Sequence, residues 1–246
     1  MFKFARGLWV VVLFCLPGGG AVAQVPATAP VSTNRVLHLD GFNSYVELPP
    51  DLFVNRTQAT VEAWVKIAKF KENAHFLDFG SYQREMYLGN EGMDPALKLL
   101  ITDGQRARHR IILPDLLATD RWIHLAAVTG PSGVRLYYNG MLVGTNVYAG
   151  GLAGLGAKDN SIGRSSSSRS RPVYFQGEID DVRIWGTERS ASEIRESLFR
   201  VPAATEADLI GHWNFDDGSA QDRGAAGRHG RLMGNAVISP ATGPTP

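Results

Sequence analysis

Three carboxylates lie close together in the stretch FQGEIDDVRIW (175–185), namely Glu178, Asp180 and Asp181. Two carboxylates that face one substrate can act as the acid and the base or nucleophile of a glycan-cutting enzyme. Carboxylate oxygens are also the ligands that calcium prefers. A third hypothesis assigns these side chains to the scaffold, where they accept hydrogen bonds from backbone N–H groups or pair with Arg183. The pattern of apolar residues around them bears on this choice.

The apolar residues of this stretch change face within one strand. Phe175 and Ile179 stand at odd positions, whereas Val182 and Ile184 stand at even positions. Because the side chains of a strand alternate between its two faces, the change predicts a β-bulge at Asp180–Asp181. A bulge turns both aspartates away from the alternate positions that a catalytic pair on one strand needs.

The elements that must position these residues are predicted to be short strands. Apolar runs of four to eight residues, rich in β-branched and aromatic side chains and separated by Gly, Pro, Asn and Asp, follow one another along the chain. They predict an all-β fold, an antiparallel β-sandwich. The pair Asn139-Gly140 predicts a two-residue type I′ hairpin, and residues 40–44 predict a longer turn.

One short helix is predicted near residues 190–198. Ser190 has the side chain of an N-cap, and Glu193 stands three residues later, where it closes a capping box. Ile194 and Leu198 form a one-sided apolar stripe, which predicts that one face of the helix is buried.

The beginning of the chain has the pattern of a secretory signal peptide. Lys3 and Arg6 precede an apolar stretch at 7–16, and small residues end at Ala23. We therefore expect a secreted or periplasmic protein. The expected divisions are a signal peptide at 1–23, a linker at 24–34, one folded domain at 35–240 and a disordered tail at 241–246.

Composition and charge exclude several kinds of chemistry. Cys15 is the only cysteine and lies in the signal peptide, so disulfides and thiolate sites are excluded from the mature chain. The net charge of +1 becomes −1 when Lys3 and Arg6 are removed, which argues against nucleic acid as a partner. No later apolar run is long enough to span a bilayer, so no membrane insertion is expected after cleavage.

The ordered set of motifs resembles the laminin-G-like, or concanavalin A-like lectin-glucanase, jelly rolls of secreted bacterial proteins. Many members open with a strand similar to HWNFDDGS, which stands near the end of this chain. We therefore expect the C-terminal segment to close the sandwich, with Trp213 and Phe215 in the same core as Trp64 or Trp122. The motifs are LHLDGFNSYVELP (37–49), TVEAWVK (60–66), WIHLAAV (122–128), VRLYYNGMLV (134–143), SIGR (161–164), FQGEIDDVRIW (175–185) and RSASEI (189–194).

The resemblance also explains why the carboxylates suggest an enzyme. Laminarinases and lichenases of this architecture carry Glu-x-Asp-x-Glu or Glu-x-Asp-x-x-Glu on one strand. Here Glu178 and Asp180 are present, but Val182 and Arg183 occupy both places for the second glutamate. We therefore predict that the chain is not an enzyme.

A structural calcium ion is a further expectation. The resemblance implies one for Asp180 or Asp181, because relatives often hold calcium between the first and last strands. Carbonyl and carboxylate oxygens of the turn at Asp40 and Gly41 are the predicted additional ligands. The alternative is that both bulge aspartates serve the scaffold.

Candidate ligand-binding residues lie in a polar loop and near turns. Arg164, Arg169 and Arg171 lie in GRSSSSRSRP and have no acid nearby in the sequence; they form either a patch for sulfated or carboxylated glycans or for an acidic protein, or a solvated loop. Tyr82 and Tyr87 are candidates for stacking on a sugar, whereas the strand tryptophans are interpreted as core.

The sequence favours a secreted, non-catalytic binding module that recognises a carbohydrate or a cell-surface protein. Two alternatives stay open: a glycoside hydrolase or lyase with a site elsewhere on the jelly roll, and a structural accessory protein.

Overall fold

Short strands joined by tight turns make up almost all of the protein. The computed structural model describes residues 34–155, 158–165, 172–241 and 243–244, so the predicted signal peptide lies outside them. These residues form fifteen strands and one helix: β1 (Arg35–Asp40), β2 (Tyr45–Leu48), β3 (Ala59–Lys69), β4 (His75–Ser81), β5 (Arg84–Glu91), β6 (Ala96–Thr102), β7 (Arg108–Leu113), β8 (Trp122–Gly130), β9 (Gly133–Tyr138), β10 (Met141–Asn146), β11 (Asn160–Ile162), β12 (Gln176–Trp185), α1 (Ala191–Ser197), β13 (Leu209–Trp213), β14 (Arg231–Met233) and β15 (Val237–Pro240).

The strands form two antiparallel sheets that pack face to face. Sheet A has the order β10-β9-β8-β3-β12-β1-β15, with β13 also paired to β12. Sheet B has the order β14-β2-β11-β4-β5-β6-β7. This confirms the predicted all-β sandwich of the jelly-roll type, with its one short helix.

The core lies between the two sheets and follows the alternation of each strand. On β6, Leu97, Leu99 and Ile101 are buried in it, and on β12 Ile179 and Ile184 are buried in it. Burying each such side chain contributes about 1.5–3 kcal/mol relative to leaving it in water. The core thus holds both sheets together without any disulfide.

The two predicted turns have the expected residues in the expected roles. Asn139 and Gly140 have φ angles of 48° and 74°, as a type I′ hairpin requires. At the first turn, the Asp40 carboxylate accepts hydrogen bonds from the backbone N–H groups of residues 42–44. Such a side-chain bond replaces the backbone bonds that the turn cannot make.

The C-terminal segment closes both sheets, as predicted. β13 pairs with β12, β15 pairs with β1, and β14 pairs with β2. Trp213 and Phe215 lie in the main core, but the prediction that they share this core with Trp64 or Trp122 is wrong. Trp64 is paired with Asp180, whose neighbour Ile179 points into the core, so Trp64 lies on the outer face of sheet A.

Helix α1 packs on the outer face of sheet A. Ser190 caps it, and Glu193 completes the capping box, as predicted. Ile194 is buried against a second small apolar cluster that includes Val128 and Tyr137. Within the described residues, no helix combines the length and apolar character needed to cross a membrane.

Candidate functional site

The predicted bulge interrupts β12 where it passes β3. Asp180 is opposite Trp64, whereas the next paired residue, Arg183, is opposite Glu62. Two residues of β12 therefore face one residue of β3. Asp181 adopts a φ of 51°, a left-handed conformation that Asp tolerates better than most residues. The bulge confirms the change of face inferred from the sequence and aims both aspartates toward the outer side of sheet A.

Asp181 is held by two cationic or polar side chains. Arg183 donates from Nε to Asp181 Oδ1 at 2.8 Å and from Nη2 to Oδ2, and His212 Nε2 lies 2.7 Å from Oδ1. Burial raises the pKa of Asp181, but the hydrogen bonds from His212 and Arg183 outweigh burial and lower the pKa below its ordinary value. The remaining Arg183 donor, Nη1, bonds to the carbonyl of Ser197 at 2.8 Å. Asp181 therefore serves the scaffold.

Asp180 has no arginine or histidine partner of this kind among the described residues. Its side chain is buried, and among the described residues it accepts hydrogen bonds from the backbone N–H of Asp181 at 2.8 Å and from Nδ2 of Asn34 at 3.3 Å. Burial, and then the nearby charges of Asp181 and Asp216, raise the pKa of Asp180 to about 8. This carboxyl therefore keeps its proton to a higher pH than an ordinary aspartate does.

A pocket of about 160 Å³ opens beside Asp180 on the outer face of sheet A. Its rim carries the ring of Phe199, which is 48% exposed and lies 5.3 Å from the ring of Trp64 between centroids. Its polar wall carries carboxylate and amide groups. The lining residues are Asn34, Trp64, Asp180, Asp181, Arg183, Leu198, Phe199, Val201, Asn214, Asp216 and Pro244.

A cluster of buried polar and charged side chains around Glu62 lies next to the pocket. Glu62 accepts a hydrogen bond from Trp185 Nε1 at 2.7 Å, and its other oxygen lies 3.4 Å from His124 Nε2. Burial raises the pKa of Glu62, but His124, Arg183 and Trp185 together lower it below its ordinary value. These groups are nearly inaccessible to solvent, so they stabilise the face rather than contact a ligand.

The four residues predicted to hold calcium do not form one site. Asp40 is paired with Gln176, four residues along β12 from Asp180. Burial raises the pKa of Asp40, but hydrogen bonds from Ser44, from the turn's own backbone and from Asn235 together hold that pKa well below its ordinary value. The turn therefore uses the Asp40 carboxylate, and Gly41 follows it away from the bulge. Among the described residues no three His, Cys, Asp or Glu side chains converge as a metal site.

Of the three arginines predicted to bind a ligand, the structure describes Arg164. Arg164 lies on the outer side of sheet B, with its guanidinium 4.1 Å from the ring centroid of Tyr45. Tyr174, which forms a β-bridge with Arg164, lies 6.1 Å from Tyr45 between ring centroids. Arg169 and Arg171 lie outside the described residues.

The two predicted tyrosines differ in exposure. Tyr82 is half exposed in the turn between β4 and β5. Tyr87 is buried, and its ring stacks on His75 at 3.6 Å, so the prediction of an exposed sugar platform at Tyr87 is wrong. The reason is its position in the middle of sheet B, where it pairs with Asp78 rather than ending a strand.

Sequence reasoning missed most of the pocket. Phe199 directly follows the predicted helix, and Asn214 and Asp216 lie in the segment interpreted only as a closing strand and its loop. Phe199 lies next to Leu198 at the end of the apolar stripe, so the sequence did not distinguish an exposed ring from a buried one. Asn34 belongs to the predicted linker, and only pairing of the chain ends brings it to Asp180.

The family follows from a profile match. The profile of the concanavalin A-like lectin/glucanases superfamily, of the laminin G type, matches residues 40–195. The chain belongs to this superfamily. A search among curated protein sequences found no match.

Several solved structures share the fold. A Bacteroides ovatus protein whose name proposes carbohydrate binding is 19% identical with a TM-score of 0.63, over 84% of this chain and 59% of that one. The carbohydrate-binding module of a Ruminococcus gnavus sialidase, bound to α2,3 sialyllactose, is 12% identical with a TM-score of 0.52, over 67% and 97% of the two chains. A heptameric pentraxin of Limulus polyphemus is 17% identical with a TM-score of 0.50, over 67% and 82%. The chain thus spans about three fifths of the length of the Bacteroides protein, and at these identities the likeness concerns the fold.

Proposed function

We propose that this protein is a non-catalytic carbohydrate-binding module that acts outside the cytoplasm, in the periplasm or after secretion. The observation that carries the proposal is the pocket on sheet A, where an exposed aromatic ring stands beside several oxygen acceptors. Sugars present an apolar face that stacks on aromatic rings and hydroxyl groups that donate hydrogen bonds. Phe199 supplies the ring, and Asp180 and the exposed Asp216 supply acceptors.

The structural relatives support this proposal. The Ruminococcus gnavus module holds sialyllactose, and the Bacteroides ovatus protein is named for carbohydrate binding. Both match this chain with a TM-score above 0.5. The predicted signal peptide supports a location outside the cytoplasm.

The hydrogen bonds and ion pairs of the carboxylates on β12 argue against catalysis. An acid and a second, ionised carboxylate must both face the substrate. Both oxygens of Asp181 accept hydrogen bonds from Arg183, and Glu178 lies 3.4 Å from Lys66 Nζ and 3.7 Å from His38 Nδ1. Neither carboxylate is available as the partner of Asp180 on β12.

One observation favours the alternative of a hydrolase. Asp180 has the raised pKa of a general acid, and the exposed Asp216 lines the same pocket. Release of reducing ends from a panel of glucans and sulfated galactans that disappears in Asp180→Asn would establish this alternative. We expect no release from any of them.

A glycan array with the purified chain tests the binding proposal, followed by titration of the best ligand with two matched variants. Phe199→Ala should weaken binding about tenfold, because one aromatic stack contributes about 0.5–1.5 kcal/mol beyond its buried area. Phe42→Ala removes a ring that is 78% exposed in the turn after β1, and it should leave affinity unchanged.

Two results would overturn the proposal. If no glycan is retained, while pull-down from envelope fractions captures a protein, the chain recognises a cell-surface protein instead. If both phenylalanine variants bind a glycan as the unaltered chain does, the pocket on sheet A is not the site.

A further inference from the structure

A cluster of one cationic and two aromatic side chains lies on the outer face of sheet B. Tyr45 alternates with the core residue Val46 on β2, so its ring points away from the core. The guanidinium of Arg164 lies 4.1 Å from the centroid of that ring, and the ring of Tyr174 lies 6.1 Å from it at an angle of 42°. Arg164, Tyr45 and Tyr174 are all partly exposed. We call these three side chains the sheet B cluster.

Hydrogen bonds fix the backbone on both sides of Arg164. The hydroxyl of Ser161 donates to the Arg164 carbonyl at 2.9 Å, and Arg164 forms a β-bridge with Tyr174. The N–H of Phe175 donates to the carbonyl of Gly163 at 2.9 Å. Gly163 has a φ of 84°, a left-handed conformation that favours glycine. The backbone that carries Arg164 is therefore ordered before a ligand binds, which lowers the entropic cost of binding.

The charge of Arg164 is available to a ligand. Stacking on an aromatic ring occupies the flat face of the guanidinium and leaves the N–H donors at its edge. Within the described part of the chain, the salt bridges of arginines involve residues other than Arg164. Glu47, two residues further along β2, is paired with Arg231. Asp78, on the neighbouring β4, is buried and lies 2.6 Å from His75 Nδ1.

A cavity of about 350 Å³ that includes Glu47 of β2 also has more positive than negative charge. Its charged lining residues are Glu47, Lys158 and Arg231, and His229 adds an imidazole. Because Glu47 and Arg231 pair with each other, the exposed Lys158 leaves a net positive charge. An anion is thus favoured over a cation at this end of sheet B.

We propose that the sheet B cluster is a second carbohydrate site, separate from the pocket on sheet A, and that it binds a sugar carrying a carboxylate or a sulfate. The guanidinium of Arg164 pairs with the oxyanion through its edge donors. The ring of Tyr174 stacks on the apolar face of the sugar. Carboxylate and sulfate offer the same chemistry, an oxyanion on a hydroxylated ring. The inference rests on the proposed carbohydrate function but does not depend on the pocket on sheet A.

The test is isothermal titration of the purified chain with two pairs of oligosaccharides. One pair is oligogalacturonate and its methyl ester, and the other is a sulfated galactan oligomer and its desulfated form. In each pair the members differ in charge. We expect at least one charged member to bind about tenfold more tightly than its neutral partner, since hydrogen bonds to charged groups are the stronger ones. Salt should reduce this difference, because it screens charges at exposed sites, and Arg164→Leu should abolish it.

Two further variants serve as controls. Arg121→Leu removes the same charge from an exposed residue just before β8 of sheet A, and it should leave the affinity for the charged oligosaccharide unchanged. Phe199→Ala alters the pocket on sheet A, and it should leave the difference between charged and neutral members unchanged.

The outcomes separate the two anions and the two proposals. A difference in the galacturonate pair that depends on Arg164 identifies a carboxylate ligand, and one in the galactan pair identifies a sulfate ligand. Equal binding of charged and neutral members, or an equal loss in both arginine variants, overturns the inference, while neutral binding that depends on Phe199 still supports the proposed function. Binding that requires Arg164 and ignores Phe199 supports the inference and removes the pocket on sheet A as the site. Failure of all four oligosaccharides overturns the inference, and the glycan array then decides the proposed function separately.

Discussion

The outer face of each sheet carries an arginine, and the two arginines differ in burial and in partners. On sheet A, Arg183 is buried beneath the end of α1 and bonds to Asp181 and to the Ser197 carbonyl. On sheet B, Arg164 is partly exposed and rests on the ring of Tyr45. Buried charge requires a partner in the protein, whereas a partly exposed guanidinium keeps water and can exchange it for a ligand.

This difference indicates which side chains on the two outer faces a ligand can reach. On sheet A the buried Arg183 is held by Asp181 and by the Ser197 carbonyl, and the pocket beside Asp180 lies on the same face. Sheet B offers a cation stacked on an aromatic ring, with Tyr174 close by, and this arrangement suits a carboxylated or sulfated sugar. Four changes test the contrast.

The largest effect is expected from Arg183→Leu. It removes the buried guanidinium and leaves the partly buried Asp181 with His212 as its side-chain partner among the described residues, and breaking a buried ion pair costs about 3–5 kcal/mol. Urea unfolding should show a loss of that size in the free energy of unfolding. A loss below about 1 kcal/mol would mean that the charges of sheet A are not interdependent.

Asp180→Asn should change the pH dependence of stability. Folding raises the pKa of Asp180 from its ordinary value of 3.8 to about 8, so in this window the unfolded chain ionises this group and the folded chain keeps it protonated. Stability therefore falls as the pH rises through the window. The variant should be more stable than the unaltered chain at pH 8, by at least about 1 kcal/mol, and similar to it at pH 4. Parallel stability curves for the two proteins would contradict the raised pKa.

Ser190→Ala should have an intermediate effect. It removes the hydroxyl that accepts a hydrogen bond from the backbone N–H of Glu193, which caps α1, the helix that covers part of sheet A. Loss of such a cap costs about 1 kcal/mol. Thermal unfolding should show a midpoint lowered by a few degrees, and an unchanged midpoint would show that packing of Ile194 alone holds the helix.

The smallest effect on stability is expected from Arg164→Leu, the counterpart on sheet B. A cation–π contact at a partly exposed site contributes about 0.5–1 kcal/mol, so urea unfolding should change by no more than that. The same variant should weaken retention of sulfated glycans on an array. A loss as large as that of Arg183→Leu would erase the distinction between the two faces.

The local elements were predictable from the sequence because short-range rules control them. Positive φ at Asn139 and Gly140, the Ser190 capping box and the bulge at Asp180 each depend on a few neighbouring residues and on the alternation of a strand. Calcium at Asp180, Asp181, Asp40 and Gly41 was a poorer prediction. It required the relative positions of β1 and β12, and the register places Asp40 four residues from Asp180.

The sequence by itself determined the sandwich, its hairpins, its helix and the absence of the second glucanase glutamate. Only the tertiary structure decided which side chains share a pocket. Asn34, Asp180, Phe199 and Asp216 come from four separate segments, and strand pairing across the whole chain brings them together. Exposure was decided in the same way, since Tyr87 and Phe199 are both aromatic residues in apolar runs, yet one is covered and the other is open. Long-range packing sets both properties, and no local pattern encodes it.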